Sequence, residues 1–143
     1  MSPMTRLSAV AAAVLALVAC SSTGSSASTE RESASLARYE AAAGEPVDSF
    51  RFFRLDGFTV LGENALALWA NPREAWLLTV DEPCTELRWS LALNVTSFSN
   101  RVHARSDSVQ GCRIRSIRPI DVAALRESEK EARTDIKVQQ RDA

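Results

Sequence analysis

A short apolar segment at the N-terminus limits how much of this 143-residue chain can fold as a domain. Arg6 precedes an apolar stretch over residues 7–18, and Ala19-Cys20 ends that stretch. A transmembrane helix needs about 20 residues to cross a hydrocarbon core about 30 Å thick, so this stretch is too short to span a membrane. A positive charge, an apolar run and a small residue in this order are typical of a signal peptide. We therefore predict a signal peptide over residues 1–19.

The residues that end the apolar stretch resemble a bacterial lipobox. Leu17, Ala19 and Cys20 match its leucine, small residue and cysteine, and Val18 is tolerated between them. The resemblance implies that the Cys20 thiol receives a diacylglycerol, that cleavage makes Cys20 the new N-terminus, and that a further acyl chain such as palmitate caps its amine. Several acyl chains hold a protein on a membrane where one chain alone is marginal. The alternative is an ordinary cleaved secretory signal in which Cys20 is incidental.

The residues after Cys20 bear on where the domain lies in the envelope. In the lipoprotein pattern an Asp after the cysteine retains a protein at the inner membrane, so Ser21 favours the outer membrane, with the domain facing the periplasm. A soluble periplasmic location is the alternative. Residues 20–35 are mostly Ser, Thr, Ala and Gly, a composition that buries too little apolar surface to offset its ordering entropy. We therefore predict a flexible tether over residues 20–35.

Two cysteines are available to stabilise the small domain that remains. Residues 36–127 are predicted to form a single β-rich domain, followed by a charged helical or disordered tail over residues 128–143. A small domain buries only about 60% of its unfolded surface, so a covalent link is valuable. Cys84 and Cys112 form an even pair, which in an exported domain is more often disulfide-bonded than reactive. The alternative, a redox or metal pair, lacks CxxC spacing and nearby histidines, so we predict a disulfide and no metal site.

One hairpin stands out in the first half of the domain. Helical spacing of apolar residues over residues 36–43 predicts a short helix that precedes the strands. The hairpin joins residues 65–70 to residues 75–80 across the loop Asn71-Pro72-Arg73-Glu74. Period-2 alternation places apolar side chains on one side of this ribbon, namely Leu66, Leu68, Trp76, Leu78 and Val80.

The second half of the domain is predicted to add further short strands. Alternation predicts a half-buried strand over residues 89–95, and a last hairpin joins residues 101–106 to residues 112–117. Asp121 is a good N-cap for a C-terminal helix. Six or seven short strands separated by turns favour a mainly β fold, a small antiparallel barrel or roll with short flanking helices. An α+β fold is the alternative.

The last predicted hairpin contains the one candidate binding surface. If its apolar residues point inward, five cationic or titratable side chains point outward together: Arg101, His103, Arg105, Arg113 and Arg115. Such a patch could hold an anionic envelope component, either lipid phosphate or a peptidoglycan carboxylate, or an acidic envelope protein. The alternative is that these side chains pair with Glu and Asp of neighbouring strands, which also protects a sheet edge from aggregation.

The composition and motifs disfavour several other function classes. The chain has 17 Lys and Arg against 18 Asp and Glu, so its net charge of −1 does not indicate a nucleic-acid partner. A Ser-His-Asp triad would need His103, the only histidine, and no GxSxG nucleophile elbow is present. Trp69, Trp76 and Trp89 could stack on sugars, but tryptophans on apolar strands more often belong to the core. We predict no catalytic residues and no cofactor, with a periplasmic hydrolase as the alternative.

Several blocks of the sequence resemble one protein family. The blocks are Gly44-Glu45-Pro46-Val47, Leu61-Gly62-Glu63-Asn64-Ala65-Leu66-Ala67-Leu68-Trp69, Ala75-Trp76-Leu77-Leu78, Pro83-Cys84 and Cys112-Arg113-Ile114 through Ile117-Arg118-Pro119-Ile120-Asp121. They resemble a family of small Gram-negative envelope lipoproteins, domain of unknown function 6491, over roughly residues 38–127. The resemblance implies an exported, disulfide-bonded domain and transfers no activity. We therefore expect a lipid-anchored envelope protein with a non-catalytic binding or structural role.

Overall fold

The computed structural model describes residues 23–142, and the predicted signal peptide and Cys20 lie outside this part of the chain. The elements are α1 (Thr23–Ala42), β1 (Ser49–Arg51), β2 (Gly57–Val60), β3 (Ala65–Asn71), β4 (Glu74–Val80), α2 (Thr85–Arg88), β5 (Arg101–His103), β6 (Ser108–Val109), β7 (Cys112–Ile120) and α3 (Val122–Arg141). The strands β2-β3-β4-β7-β6 form an antiparallel half-barrel sheet, and β1 pairs with β5 in a separate sheet. The predicted mainly β fold of six or seven strands is confirmed.

The predicted central hairpin forms between β3 and β4. Leu66 lies opposite Leu78, and Leu68 lies opposite Trp76. The turn is closed by side chains: the Asn71 Nδ2 atom donates to Glu74 Oε2 at 3.0 Å. Asn71 Oδ1 in turn accepts from the backbone N–H of residue 73 at 2.9 Å. Asn favours turns because its short side chain bonds to nearby backbone groups, which explains why this hairpin can be predicted from the sequence.

Apolar side chains cover both faces of the half-barrel sheet. One face packs against the β1–β5 sheet and α2, in a first core that contains Phe50, Leu66, Leu68, Leu78, Val80, Cys84, Leu87, Val102, Val109, Ile114 and Ile117. The other face packs against α1 and α3, in a second core that contains Tyr39, Leu61, Ala65, Ala67, Ala75, Leu77, Ile120, Val122 and Leu125. The prediction of one apolar side was thus incomplete, because Ala at alternate positions also faces a helix layer.

Helix α1 runs from one end of the half-barrel sheet toward the other. We call these the β2–β3 end and the β3–β4 end, after the turns found there. Helix α1 ends at the β3–β4 end, where Ala42 O accepts from Asp121 N at 2.8 Å. Earlier in α1, the Glu32 carboxylate lies 2.5 Å from the Arg88 guanidinium, which also lies 3.8 Å from Glu63 in the β2–β3 turn. The N-terminus of α1 therefore lies toward the β2–β3 end.

Helix α1 begins earlier than the composition suggested. Residues 23–35 are helical, where we predicted part of a flexible tether. The segment contains Ala, Glu and Arg, which are good helix formers. Tertiary contacts support the helix from its second half, since Tyr39 is 4% exposed and Leu36 packs against the same core. Docking of one end stabilises the turns that precede it, because extending a formed helix costs little.

The predicted charged tail forms the second part of helix α3. The helix runs from Val122 to Arg141, so residues 128–141 are helical rather than disordered. The predicted N-cap is confirmed, since Asp121 Oδ1 accepts from Ala124 N at 3.0 Å. Val122 and Leu125 are buried, whereas the side chains beyond residue 132 are exposed. The first turns of α3 therefore hold the helix on the domain, and both flanking helices are longer than predicted.

The predicted strand over residues 89–95 is wrong. Its Trp89 and Leu91 side chains are 79% and 99% exposed, and the segment forms only an isolated bridge, between Val95 and Val109. Leu87 in α2 is fully buried in the first core, and of the predicted strand only Leu93 and Val95 pack against that core, both partly buried. With the core filled from α2, the following residues pass along the surface beside β6.

The predicted last hairpin forms only in part. Strand β5 pairs with β1, with Val102 opposite Phe50, rather than with β7. The chain turns sharply after β5, where Arg105 has a φ of 69°. The partner of β7 is β6, joined to it by the turn Gln110-Gly111, in which both residues have positive φ as two-residue hairpins require. Alternation alone cannot reveal such a double reversal.

Candidate functional site

The two cysteines form the predicted disulfide. Cys84 and Cys112 are joined by an S–S bond of 2.02 Å, with Cα atoms 5.9 Å apart, and they enclose a sequence separation of 28 residues. Cys84 is 2% exposed and lies in the first core directly before α2, while Cys112 begins β7. The bond therefore links the residue just before α2 to the first residue of β7 in the half-barrel sheet. The disulfide fixes structure and leaves neither thiol free for chemistry.

The five residues of the predicted cationic patch are divided among different neighbours. Arg101 donates to Ser49 Oγ at 3.2 Å. Arg105 lies 3.0 Å from Asp48, and Arg115 lies 3.0 Å from Asp81. These ion pairs are exposed, so each contributes little to stability.

Two members of the patch remain, Arg113 and His103. Arg113 is exposed and has no ion-pair partner within residues 23–142. Pairing with acidic neighbours was the alternative to anion binding, and two of the four arginines follow it, Arg105 and Arg115. The anion-binding role of the set stays a prediction.

His103 is occupied within a turn. Its backbone N–H donates to Asp107 Oδ2 at 2.7 Å, and its Nδ1 atom lies 3.3 Å from the same oxygen. The Asp107 N–H donates back to the His103 carbonyl oxygen at 3.2 Å. These bonds hold the chain reversal that follows β5. The pair thus has a structural role in the turn.

The three tryptophans lie in separate environments. Trp69 packs beside the second core and donates from Nε1 to Thr59 Oγ1 at 3.1 Å. Trp76 packs beside the first core, on the opposite face of the sheet, and stacks on Phe50 with ring centroids 4.8 Å apart. Trp89 is exposed. They form no shared platform for sugar stacking, and two of them belong to the cores, as the alternative interpretation held.

Exposed large apolar side chains lie at both ends of the half-barrel sheet. Phe53 is 95% exposed and lines a shallow cleft at the β3–β4 end, together with Asn71 and Glu74. Trp89 and Leu91 lie beyond α2, whose Arg88 contacts the β2–β3 turn. Trp89 and Leu91 could not be recognised as exposed from the sequence, because they fit the alternating pattern of a half-buried strand over residues 89–95. Only the tertiary structure shows that the exposed side chains Phe53, Trp89 and Leu91 belong to neither core.

Tyr39 has the one resolved pKa shift among the described residues. Burial raises the pKa of its phenol above the ordinary value of 10.0, and the nearby Glu129 carboxylate raises it further, against the opposing effect of a hydrogen bond with Thr59. The phenol therefore stays neutral in the folded state at pH values where the unfolded chain ionises. Its contribution to stability is fully present below pH 10 and is lost as the pH rises through the folded-state pKa.

Because Tyr39 is the only tyrosine, this shift can be measured directly. We expect a near-ultraviolet absorbance titration of the native protein to show phenolate formation at a higher pH than a titration of the same protein in denaturant. The unfolding midpoint in urea should fall over the same pH range. Identical titration curves for the native and denatured protein would contradict the burial of this group.

Comparison with known proteins identifies a family and no activity. Among the described residues, no three His, Cys, Asp or Glu side chains are grouped to hold a metal ion. Nor, in the same part of the chain, is any helix long and apolar enough to cross a membrane. No curated protein and no solved structure matches the chain. A family model described as a family of unknown function, DUF6491, matches residues 3–135, which confirms the resemblance drawn from the sequence blocks. This chain belongs to the DUF6491 family.

Proposed function

We propose that this chain is a lipid-anchored protein of the bacterial outer membrane that faces the periplasm and has a binding or structural role. The observation that carries the proposal is the lipobox-like ending Leu17-Val18-Ala19-Cys20, placed three residues before α1. The disulfide between the other two cysteines supports the same location, because disulfides persist in oxidising compartments such as the periplasm.

Helix α1 would connect such an anchor to the rest of the domain. Two residues, Ser21 and Ser22, separate Cys20 from Thr23, and the three Cα-to-Cα steps between them span at most about 10 Å. From there α1 continues for 20 residues, a length of about 30 Å, and its last turns are buried against the sheet. The anchor would therefore hold the domain through a helix that is docked at its far end. Such a spacer sets the distance and the orientation of the domain more narrowly than a flexible tether.

A non-catalytic role is supported by how the candidate reactive groups are used. The only histidine is bonded into a turn with Asp107, and both thiols of the domain are consumed by the disulfide. Arg105 and Arg115 are paired with carboxylates. A binding or structural protein needs none of these groups in an activated form, whereas an enzyme acts through groups with perturbed protonation in a cleft.

Replacing the acylation site tests the proposal. The wild-type protein, expressed in a Gram-negative cell, should appear in the outer-membrane fraction with an N-terminal peptide whose mass includes diacylglycerol and acyl chains on Cys20. The Cys20→Ala variant should carry no lipid, keep residues 1–19 and leave that fraction almost completely. Mass spectrometry of the N-terminal peptide and density-gradient fractionation provide the two measurements.

A second substitution tests which membrane holds the protein, independently of whether Cys20 is acylated. Ser21→Asp should leave acylation unchanged and move the protein to the inner-membrane fraction, because it places the retention residue after the cysteine. Acylation with no change in fraction would limit the proposal to an anchored protein of unspecified membrane. An unmodified Cys20 thiol in the wild-type protein would overturn the anchor itself.

A further inference from the structure

We propose that Trp89 and Leu91 form a second contact with the lipid surface, beside the acyl anchor. The contact is made by residues 89–92, which we call the Trp89 loop. The inference deepens the proposed function, since it assumes that the domain is held at a membrane. It assigns the surface of the domain that faces the lipid and the side chains that enter the interfacial layer.

The Trp89 loop exposes apolar surface without a partner in the domain. Trp89 is 79% exposed and Leu91 is 99% exposed, while Leu93, two residues on, packs against the first core. Transfer of apolar surface from water into an apolar environment lowers the free energy. Tryptophan is also the side chain best suited to a membrane interface, because its ring is apolar and its indole N–H can bond to water or headgroups.

The loop is held in its exposed position by hydrogen bonds. Gln110 Nε2 donates to Ser90 Oγ and to the Ala92 carbonyl oxygen, both at 2.6 Å. Ser90 Oγ donates to the Glu86 carbonyl oxygen, also at 2.6 Å. The preceding helix α2 is fixed by the buried Leu87. Because these contacts order the loop in advance, little conformational entropy is lost when the apolar side chains enter another phase.

The position of the loop matches the position of the anchor. Trp89 follows Arg88, whose guanidinium pairs with Glu32 on α1. Glu32 lies nine residues after Thr23, about 13 Å along the helix. Cys20 is a further three positions away along the chain. Arg88 also lies 3.8 Å from Glu63, so the loop begins at the β2–β3 end of the sheet, toward which the N-terminus of α1 lies. Inclination of α1 toward the membrane would place Trp89 and Leu91 in the interfacial layer.

The small size of the exposed surface favours lipid over a protein partner. A stable protein interface buries about 800 Å² on each partner, whereas one fully buried aromatic side chain contributes about 150–250 Å². Two side chains are thus too few for a durable protein contact. They are enough for a membrane contact, because the anchor already holds the loop at a high effective concentration next to the lipid.

Tryptophan fluorescence of the full lipidated chain tests the contact. The protein is reconstituted into phosphatidylethanolamine and phosphatidylglycerol vesicles, with or without bromine on the acyl chains. The emission of Trp89 is the difference between the wild type and the Trp89→Phe variant, since Trp69 and Trp76 remain in both. We expect this difference emission to shift to the blue on reconstitution, to be quenched by the brominated lipid and to be protected from iodide in solution.

A matched control lies at the other end of the half-barrel sheet. Phe53 is 95% exposed at the β3–β4 end, away from the N-terminus of α1. Phe53→Ser should leave the bromine quenching of Trp89 unchanged, while Leu91→Ser should reduce it. Circular dichroism of each variant establishes that the fold is retained. Quenching that is insensitive to Leu91→Ser but lost in Phe53→Ser would overturn the assignment of the membrane-facing end.

The failure of this inference can be distinguished from failure of the anchor. If the N-terminal mass shows acylation and Trp89 stays accessible to iodide and unaffected by bromine, the loop contact is wrong and the anchor stands. If Trp89 is protected in native membranes but not in the vesicles, a protein covers the loop and the inference is also wrong. If acylation is absent, the anchor is wrong, and the contact that depends on the anchor is wrong with it.

Discussion

Replacement of both Cys84 and Cys112 by Ser is expected to lower the free energy of unfolding by about 3 to 4 kcal/mol. The disulfide closes a sequence separation of 28 residues, and removing it restores the entropy of that loop to the unfolded chain. Domains of this size are stable by only about 5–15 kcal/mol, so the loss is a large fraction of the total. The loop also contains α2 and the Trp89 loop, which are linked to the half-barrel sheet through this bond.

Urea unfolding of the double variant, followed by circular dichroism, measures this effect. The wild-type protein treated with a reductant should unfold at nearly the same midpoint as the double variant, because both lack the same covalent link. The single variant Cys112→Ser, which leaves a free Cys84, should resemble them. Equal unfolding midpoints for the oxidised wild type and the double variant would show that the disulfide does not stabilise the domain.

Replacement of Leu87 by Ala is expected to cost about 2–5 kcal/mol of stability. Leu87 is fully buried in the first core, where it packs with Cys84 and Val109 among others, and truncation leaves a cavity that the surrounding strands can fill only in part. The residue is the only buried one in a helix of four residues, so within α2 it alone packs the helix against the core. The loss should therefore loosen the whole segment that follows.

Leu91→Ala is the matched control for this substitution. It makes the same chemical change four residues later, at a side chain that is 99% exposed, and should alter the free energy of unfolding by no more than about 0.5 kcal/mol. Urea midpoints of the two variants provide the comparison. Hydrogen exchange should also become faster in residues 85–100 of the Leu87 variant alone. Similar losses for both variants would mean that the segment after α2 is a buried strand after all.

The parts of the fold that could be predicted are those with a local cause. The β3–β4 hairpin follows from alternating apolar residues and a four-residue turn containing Asn71 and Pro72. Asp121 caps α3 through a bond to a residue only three positions away. The disulfide followed from the number of cysteines, since Cys84 and Cys112 are the only cysteines within residues 23–142. Each of these inferences needs no knowledge of distant contacts.

The errors concern residues whose environment is set by distant parts of the chain. Residues 89–95 alternate like a strand, but the core site next to them is already filled by Leu87 and the sheet edge is taken by β6. Residues 23–35 have the composition of a tether, but they continue a helix that is docked through Tyr39. The last hairpin was predicted to join residues 101–106 to residues 112–117, but β5 pairs with β1, which brings Asp48 close to Arg105.

The sequence by itself determined the elements and the chemistry that depend on neighbours along the chain: the apolar segment that ends at Cys20, the central hairpin, the N-cap and the pairing of two cysteines. Only the tertiary structure decided which apolar residues are buried and which are exposed, because a period-2 pattern states that two faces differ but not what covers each face. Trp89 and Leu87 are two residues apart, yet one is exposed and the other fully buried. The core has room for a limited number of side chains, and competition among distant segments for that room sets the outcome.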